Sequence, residues 1–407
     1  MAYDKMLLTA FVVLVLSSLQ PVHAGNWTAT SQYPMNESGQ QCIYYSGYVY
    51  CTSGATSTSI TNNTYSSAVT GHGLSGWTAQ PAYPQIAYGQ SCVTALSNLY
   101  CIGGFNYTSY ITTVYTAMLA QGTIADWRSL EAYPVAVSGL GCAASSNYMV
   151  CLGGKESSGS ETASAYYTSI SGNAILNPQN YSTASPWAET SNYPMDVAGA
   201  SCQVSNGYLY CVGGSSNAGY LNSTFFSHVS PSGLTAWTAT TPYPVAASGT
   251  ACAIYSGYLV CVGGYNATHY FNDAFAAPIS HAGIGAWTQL PNYPEAVSGT
   301  GCTAASDGYM FCAGGFNGTA YTNATYSLNI TFGGPALTTT AGIVSRNITN
   351  IGISSTTVTT VNAGNVTSPA SGSIVVNSLY VIAGLAIAAC IALYWYSRIR
   401  HKKQALN

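Results

Sequence analysis

Twelve of the 13 cysteines in this 407-residue chain come as six close pairs: Cys42/Cys51, Cys92/Cys101, Cys142/Cys151, Cys202/Cys211, Cys252/Cys261 and Cys302/Cys312. Thiols this close can cross-link, hold a metal or stay free. Zinc sites use C-x2-C spacing, which is not present here, and free thiols need a reducing compartment. Cross-linking is therefore expected, and the residues between the pairs say how. Cys252-Ala-Ile-Tyr-Ser-Gly-Tyr-Leu-Val-Cys261 reads as two short β-prone runs around the turn Ser256-Gly257. If Tyr255 and Tyr258 flank that turn as a hydrogen-bonded pair, Cys252 faces Cys261 at a non-hydrogen-bonded position. The Cα atoms are close there, which suits a cross-strand disulfide. In the sixth pair the extra residue is absorbed by Ser306-Asp307-Gly308, read as a three-residue turn.

A second set of residues could bind rather than cross-link. A Tyr-Pro step recurs at Tyr33, Tyr83, Tyr133, Tyr193, Tyr243 and Tyr293, and acids follow three of them closely: Glu37, Asp196 and Glu295. Aromatic rings beside carboxylates can hold a sugar or a cation, so Tyr33, Glu37, Tyr193, Asp196, Tyr293 and Glu295 form the expected binding face. The alternative is that the rings pack inside and the acids are solvated. Twelve Asn-x-Ser/Thr sequons are scattered along the chain, and Asn106, Asn266, Asn317 and Asn323 are the expected glycosylation sites. Catalytic and metal chemistry has little to work with. Outside the ends the histidines are His72, His228, His269 and His281, with no clustering in sequence. Neither G-x-S-x-G nor H-E-x-x-H occurs, so no catalytic residue, metal or cofactor is expected.

The elements that must position these residues follow from a repeat. The first cysteines of successive pairs are 50, 50, 60, 50 and 50 residues apart, and Trp27, Trp77, Trp127, Trp187, Trp237 and Trp287 each precede one by 15 residues. Glycine pairs follow the hairpins: Gly103-Gly104, Gly153-Gly154, Gly213-Gly214, Gly263-Gly264 and Gly314-Gly315, with Ser53-Gly54 in the first copy. Tyr110, Tyr220, Tyr270 and Tyr321 come six residues after such a pair. Glycine pair, spaced tyrosine and tryptophan in a 50-residue unit resemble the kelch motif, from Trp27 to about Gly333. A cysteine pair in each hairpin is not part of the general kelch pattern and reads as an extracellular variant. The resemblance implies an all-β, six-bladed propeller with four-stranded blades. Because the chain starts with the strand around Trp27, the outermost strand of the last blade would come from the N-terminal segment. The connections that enter the innermost strand (D-A) and those after the glycine pairs (B-C) would then share one face. The third repeat carries ten extra residues between Cys151 and Trp187.

Composition sets the surroundings. Charged residues make up only 5% of the chain, and between Gly25 and Pro335 the bases are Arg128 and Lys155 alone. Two cations cannot track a phosphate backbone, so nucleic acid is excluded as a partner. A surface so poor in charge suits a sugar coat or a strongly acidic setting, such as that of an acidophilic archaeon. Residues 1–24 read as a secretory leader ending at Val22-His23-Ala24, and 25–335 as the propeller. A Thr/Ser-rich stalk is expected over 336–377, a transmembrane helix over 378–397, and a basic cytoplasmic tail over 398–407 carrying Arg398, Arg400, Lys402 and Lys403. The expected protein is a single-pass type I membrane protein whose outer ring binds or adheres to an extracellular glycan or protein. The alternatives are a structural envelope component and a sugar-active or oxidase-type enzyme.

Overall fold

The computed structural model describes residues 22–177 and 186–332. The leader up to residue 21, part of the third-repeat insertion, and the expected stalk, membrane helix and tail lie outside the described residues. No helix long and apolar enough to cross a membrane occurs among those that are described.

The described chain is all β, and six of its sheets are five-stranded. Each begins with the predicted hairpin. The inner strands, called A, are Gln41–Tyr45, Ser91–Ala95, Gly141–Ala144, Ser201–Ser205, Ala251–Tyr255 and Gly301–Ala304. Their partners, called B, start at Tyr48, Asn98, Tyr148, Tyr208, Tyr258 and Tyr309. Four A-B turns have two residues with positive φ, among them Ser256 at 49° and Gly257 at 81°. That combination defines the turn type whose twist matches the flanking strands. The register sets Cys42 opposite Cys51, Cys92 opposite Cys101, Cys142 opposite Cys151, Cys202 opposite Cys211, Cys252 opposite Cys261 and Cys302 opposite Cys312. All six disulfides form as expected, with Cα atoms 4.1 Å apart.

A third strand, C, and a short outer strand, D, complete each blade. In blade 5 these are Ala274–Ser280 and Thr288–Gln289, with Gly283–Ile284 folded back on the end of C. Blade 6 draws its D strand, Thr28–Ala29, from the other end of the chain, where it pairs with Tyr326 and Ser327 of the C strand Tyr321–Phe332. Val22–Ala24 pairs with the end of that same strand. The expected leader boundary, after Ala24, therefore falls at the end of this β-ladder, and Thr28–Ala29 beyond it closes the blade. Every A strand packs against the A strands of both neighbouring blades, the sixth against the first. The ring is closed.

Blade-to-blade packing comes from the Tyr-Pro tyrosines and the tryptophans. Tyr33 meets Trp77 edge to face at 5.0 Å, and the same T-shaped pair recurs in all six blades, ending with Tyr293 and Trp27 at 4.9 Å. Such pairs contribute roughly 0.5–1.5 kcal/mol each beyond the area they bury. The indole of Trp77 donates to Ser31 O at 3.0 Å, and that of Trp27 to Pro291 O at 2.9 Å, so these two rings are pinned to the connection that precedes their blade.

Candidate functional site

The alternating strand directions put the D-A and B-C connections on one face, as expected. What they build there begins with a glycine that enters each A strand: Gly39, Gly89, Gly139, Gly199, Gly249 and Gly299. Around the axis, Gly139 N–H donates to Gly89 O (2.6 Å), Gly199 to Gly139 (2.7 Å), Gly249 to Gly199 (3.1 Å), Gly299 to Gly249 (3.1 Å) and Gly39 to Gly299 (2.7 Å). Gly249 has a φ of 66°, in the left-handed region that favours glycine, and a Cβ there would also stand 2.7 Å from Ser298 Oγ. The sequence reading did not use these glycines, although each lies six residues after a Tyr-Pro tyrosine, an offset as regular as any in the chain.

At the remaining junction, between Gly89 and Gly39, the pattern changes. The residue before the ring glycine is Ser38, Ser138, Ala198, Ser248 or Ser298 in five repeats, but Tyr88 in the second. The Tyr88 ring lies across Gly39 and is 40% exposed. Burial, then the phenols of Tyr321 and Tyr270, raises the pKa of its hydroxyl. Tyr265 is pushed up to about 12, by burial first and then by Tyr220, Tyr88 and Tyr270. A chain of ring contacts joins the B-C turns of blades 4, 5 and 6: Tyr220 to Tyr265 at 5.4 Å, Tyr265 to Tyr270 at 5.6 Å, Tyr270 to Phe316 at 5.6 Å and Phe316 to Tyr321 at 4.8 Å. Tyr88 faces this belt from blade 2.

Beneath these rings an axial cavity of about 640 Å³ runs along the A strands. Its wall includes the ring glycines and the first cysteine of every pair, with Tyr88, Phe105, Tyr110 and Tyr265 among its aromatic residues. Lys155 and Glu161, from blade 3, are its charged residues. Neutral phenols offer flat apolar faces and hydroxyls that both donate and accept, a combination suited to a polyhydroxylated ring.

The second cysteines take no part in that wall. Cys51, Cys101, Cys151, Cys211, Cys261 and Cys312 are wholly buried, each in a core cluster shared with the preceding blade, and none of them lines the cavity. They lie farther from the axis because the B strand is one step farther out than A. Each bridge thus runs from the cavity wall into the packing between blades.

The six residues expected to form the binding face are not brought together. Tyr33, Tyr193 and Tyr293 have their rings buried against the tryptophans, with at most 2% of each exposed. Glu37 is wholly buried beneath the same face, its carboxyl bonded to the Thr61 hydroxyl. Asp196 is exposed, and Glu295 is half-buried and accepts from the Tyr326 hydroxyl at 3.2 Å. None of the three acids lines the axial cavity. Among the described residues no three His, Cys, Asp or Glu side chains converge as a metal site, and His72, His228, His269 and His281 are all exposed.

No family model matches the chain, and no curated protein does. Among solved structures, one titled "Structure of YjhT" superposes on 75% of this chain and 100% of its own length, with a TM-score of 0.60 and 13% identity. The likeness is one of fold.

Proposed function

We propose that the protein is a kelch-type propeller, anchored in a membrane outside the cell, that binds an extracellular glycan at the axial mouth on its D-A and B-C face. The observation that carries this reading is the aromatic lining of the cavity, in which Tyr88, standing where the other repeats carry a small residue, joins Phe105, Tyr110 and Tyr265. Sugar rings bind through C–H faces laid on aromatic planes, with hydroxyls bridged by neutral donors and acceptors, and the lining supplies both. The six disulfides support an oxidising, extracellular setting. The apolar run over 378–397 with the bases after it supports the anchor. The test is an array of immobilised glycans probed with the full chain in detergent. The reading expects a restricted set of glycans to bind and the binding to fall at least tenfold in Tyr88→Ala and Tyr265→Ala, with Asp196→Asn unaffected. Binding that is indifferent to both tyrosines rules the mouth out.

A further inference from the structure

The B-C turns that carry the aromatic rim also carry sequons, and the structure gives these a shared geometry. Asn106, Asn266 and Asn317 occupy the same position in blades 2, 5 and 6, two residues after the glycine pair. Each folds its side chain back into the turn. Asn106 Oδ1 accepts from Thr108 N at 3.2 Å and Ser109 N at 3.0 Å. Asn266 Oδ1 accepts from Thr268 N and His269 N, both at 3.0 Å. Asn317 Oδ1 accepts from Thr319 N at 2.9 Å and Ala320 N at 2.8 Å. With the carbonyl oxygen held, Nδ2 is the atom left over, and in none of the three does it bond to another described residue. The threonine two positions on, Thr108, Thr268 or Thr319, is exposed in every case.

Five other sequons fail on one of these counts. Asn62 Nδ2 donates to Tyr83 O at 2.9 Å, and Asn329 Nδ2 to the Tyr309 hydroxyl at 2.8 Å. The hydroxyl residues of the sequons at Asn36, Asn222 and Asn323, namely Ser38, Thr224 and Thr325, are buried.

We propose that Asn106, Asn266 and Asn317 are N-glycosylation acceptors of the folded propeller. Nδ2 attacks the anomeric carbon of a lipid-phosphate-linked sugar. The C–N bond forms as the C–O bond to phosphate breaks, the lipid phosphate leaves with the bonding pair, and Nδ2 gives one proton to a base of the transferase. The pairs Phe105/Tyr110, Tyr265/Tyr270 and Phe316/Tyr321, with centroids 4.8–5.6 Å apart, bracket the three turns. Glycans at these points ring the mouth along blades 5, 6 and 2. The side formed by blades 3 and 4, where Lys155 and Glu161 stand, is left for ligand entry.

The inference rests on the extracellular placement proposed above, so the test reads both. The full chain is isolated from its source organism, digested without reduction and mapped by peptide mass spectrometry. The expected result is sugar mass on Asn106, Asn266 and Asn317, none on Asn62 or Asn329, and six intact disulfides. Asn106→Gln, Asn266→Gln and Asn317→Gln should each remove one increment of mass, and Thr268→Ala should match Asn266→Gln. Bare asparagines at the three turns with the disulfides intact overturn this inference alone. Bare asparagines with free thiols overturn the extracellular placement as well, and equal occupancy at Asn62 or Asn329 overturns the role given to the turn.

Discussion

Glu37 stands where the other repeats carry Ala87, Val137, Val197, Ala247 and Val297. It keeps the backbone role of that position, since Gly315 N–H donates to Glu37 O at 2.7 Å across the junction of blades 6 and 1. Its carboxyl, however, is buried against Gly54, with Oε2 unpartnered. Burial raises its pKa to about 7, against the hydrogen bond from Thr61 that lowers it. A folded-state pKa above the unfolded value stabilises below the unfolded pKa, and that stability is lost as pH rises through the folded one. Melting temperature should therefore fall between about pH 5 and pH 8, a span worth about 3 kcal/mol at this shift. Glu37→Gln should flatten the curve, and a Glu37→Gln chain with the parent's pH profile would remove Glu37 as the cause. The Tyr193 hydroxyl makes a second case: it is buried without a partner, and its pKa is pushed up by that burial. Tyr193→Phe should leave stability unchanged or raise it by up to about 1 kcal/mol, because an unpaired buried hydroxyl is costly. A denaturant midpoint lowered by the substitution would show that the hydroxyl is satisfied in solution.

Glycine pairs work at the level of the blade, and one pair shows how. Gly213 and Gly214 have φ of 64° and 101°, and Gly214 N–H donates to Ala247 O of the next D-A connection at 2.8 Å. A Cβ on Gly213 would lie 2.7 Å from that same oxygen. Gly213→Ala should cost about 2–4 kcal/mol through strain and a displaced inter-blade hydrogen bond, measured by urea denaturation. A loss below about 0.5 kcal/mol, the level of an ordinary surface substitution, would mean that blades 4 and 5 can shift apart freely. Hairpins, disulfides and glycine pairs were legible in the sequence because spacing alone fixes which residues are equivalent and which face across a two-residue turn. Side-chain direction was not. The Tyr-Pro offset marks Tyr33 and Tyr193 as equivalent but does not say that their rings turn inward to the tryptophans, and it cannot distinguish a solvated Asp196 from a buried Glu37. Tyr88 was missed for the opposite reason, since it departs from the repeat, and a departure at a position of small residues is the signal that would have found it.

Closure belongs to the whole molecule, because only one of the six blades is assembled from both ends of the chain. Thr28–Ala29 pairs with Tyr326 and Ser327, Gly25 N–H reaches Asn329 O at 3.0 Å, and Tyr33 N–H reaches Asn323 O at 2.9 Å. Trp27 packs on Tyr293, and Tyr33 on Trp77, so the same short segment joins blade 6 to itself and to blade 1. The six disulfides are each local to one hairpin and span no blade boundary. They cannot hold the ring shut, and the seam depends on this non-covalent segment. A chain lacking residues 25–38 should therefore melt well below the parent while keeping all six bridges, with blade 6 exposing the edge of its C strand. Supplying residues 25–38 as a free peptide should restore the melting temperature in proportion to the logarithm of its concentration, about 2.7 kcal/mol at a hundredfold excess over its dissociation constant. A truncated chain that melts with the parent, or one that ignores the peptide, would place the stability of the ring in the five blades that need no partner from the other end.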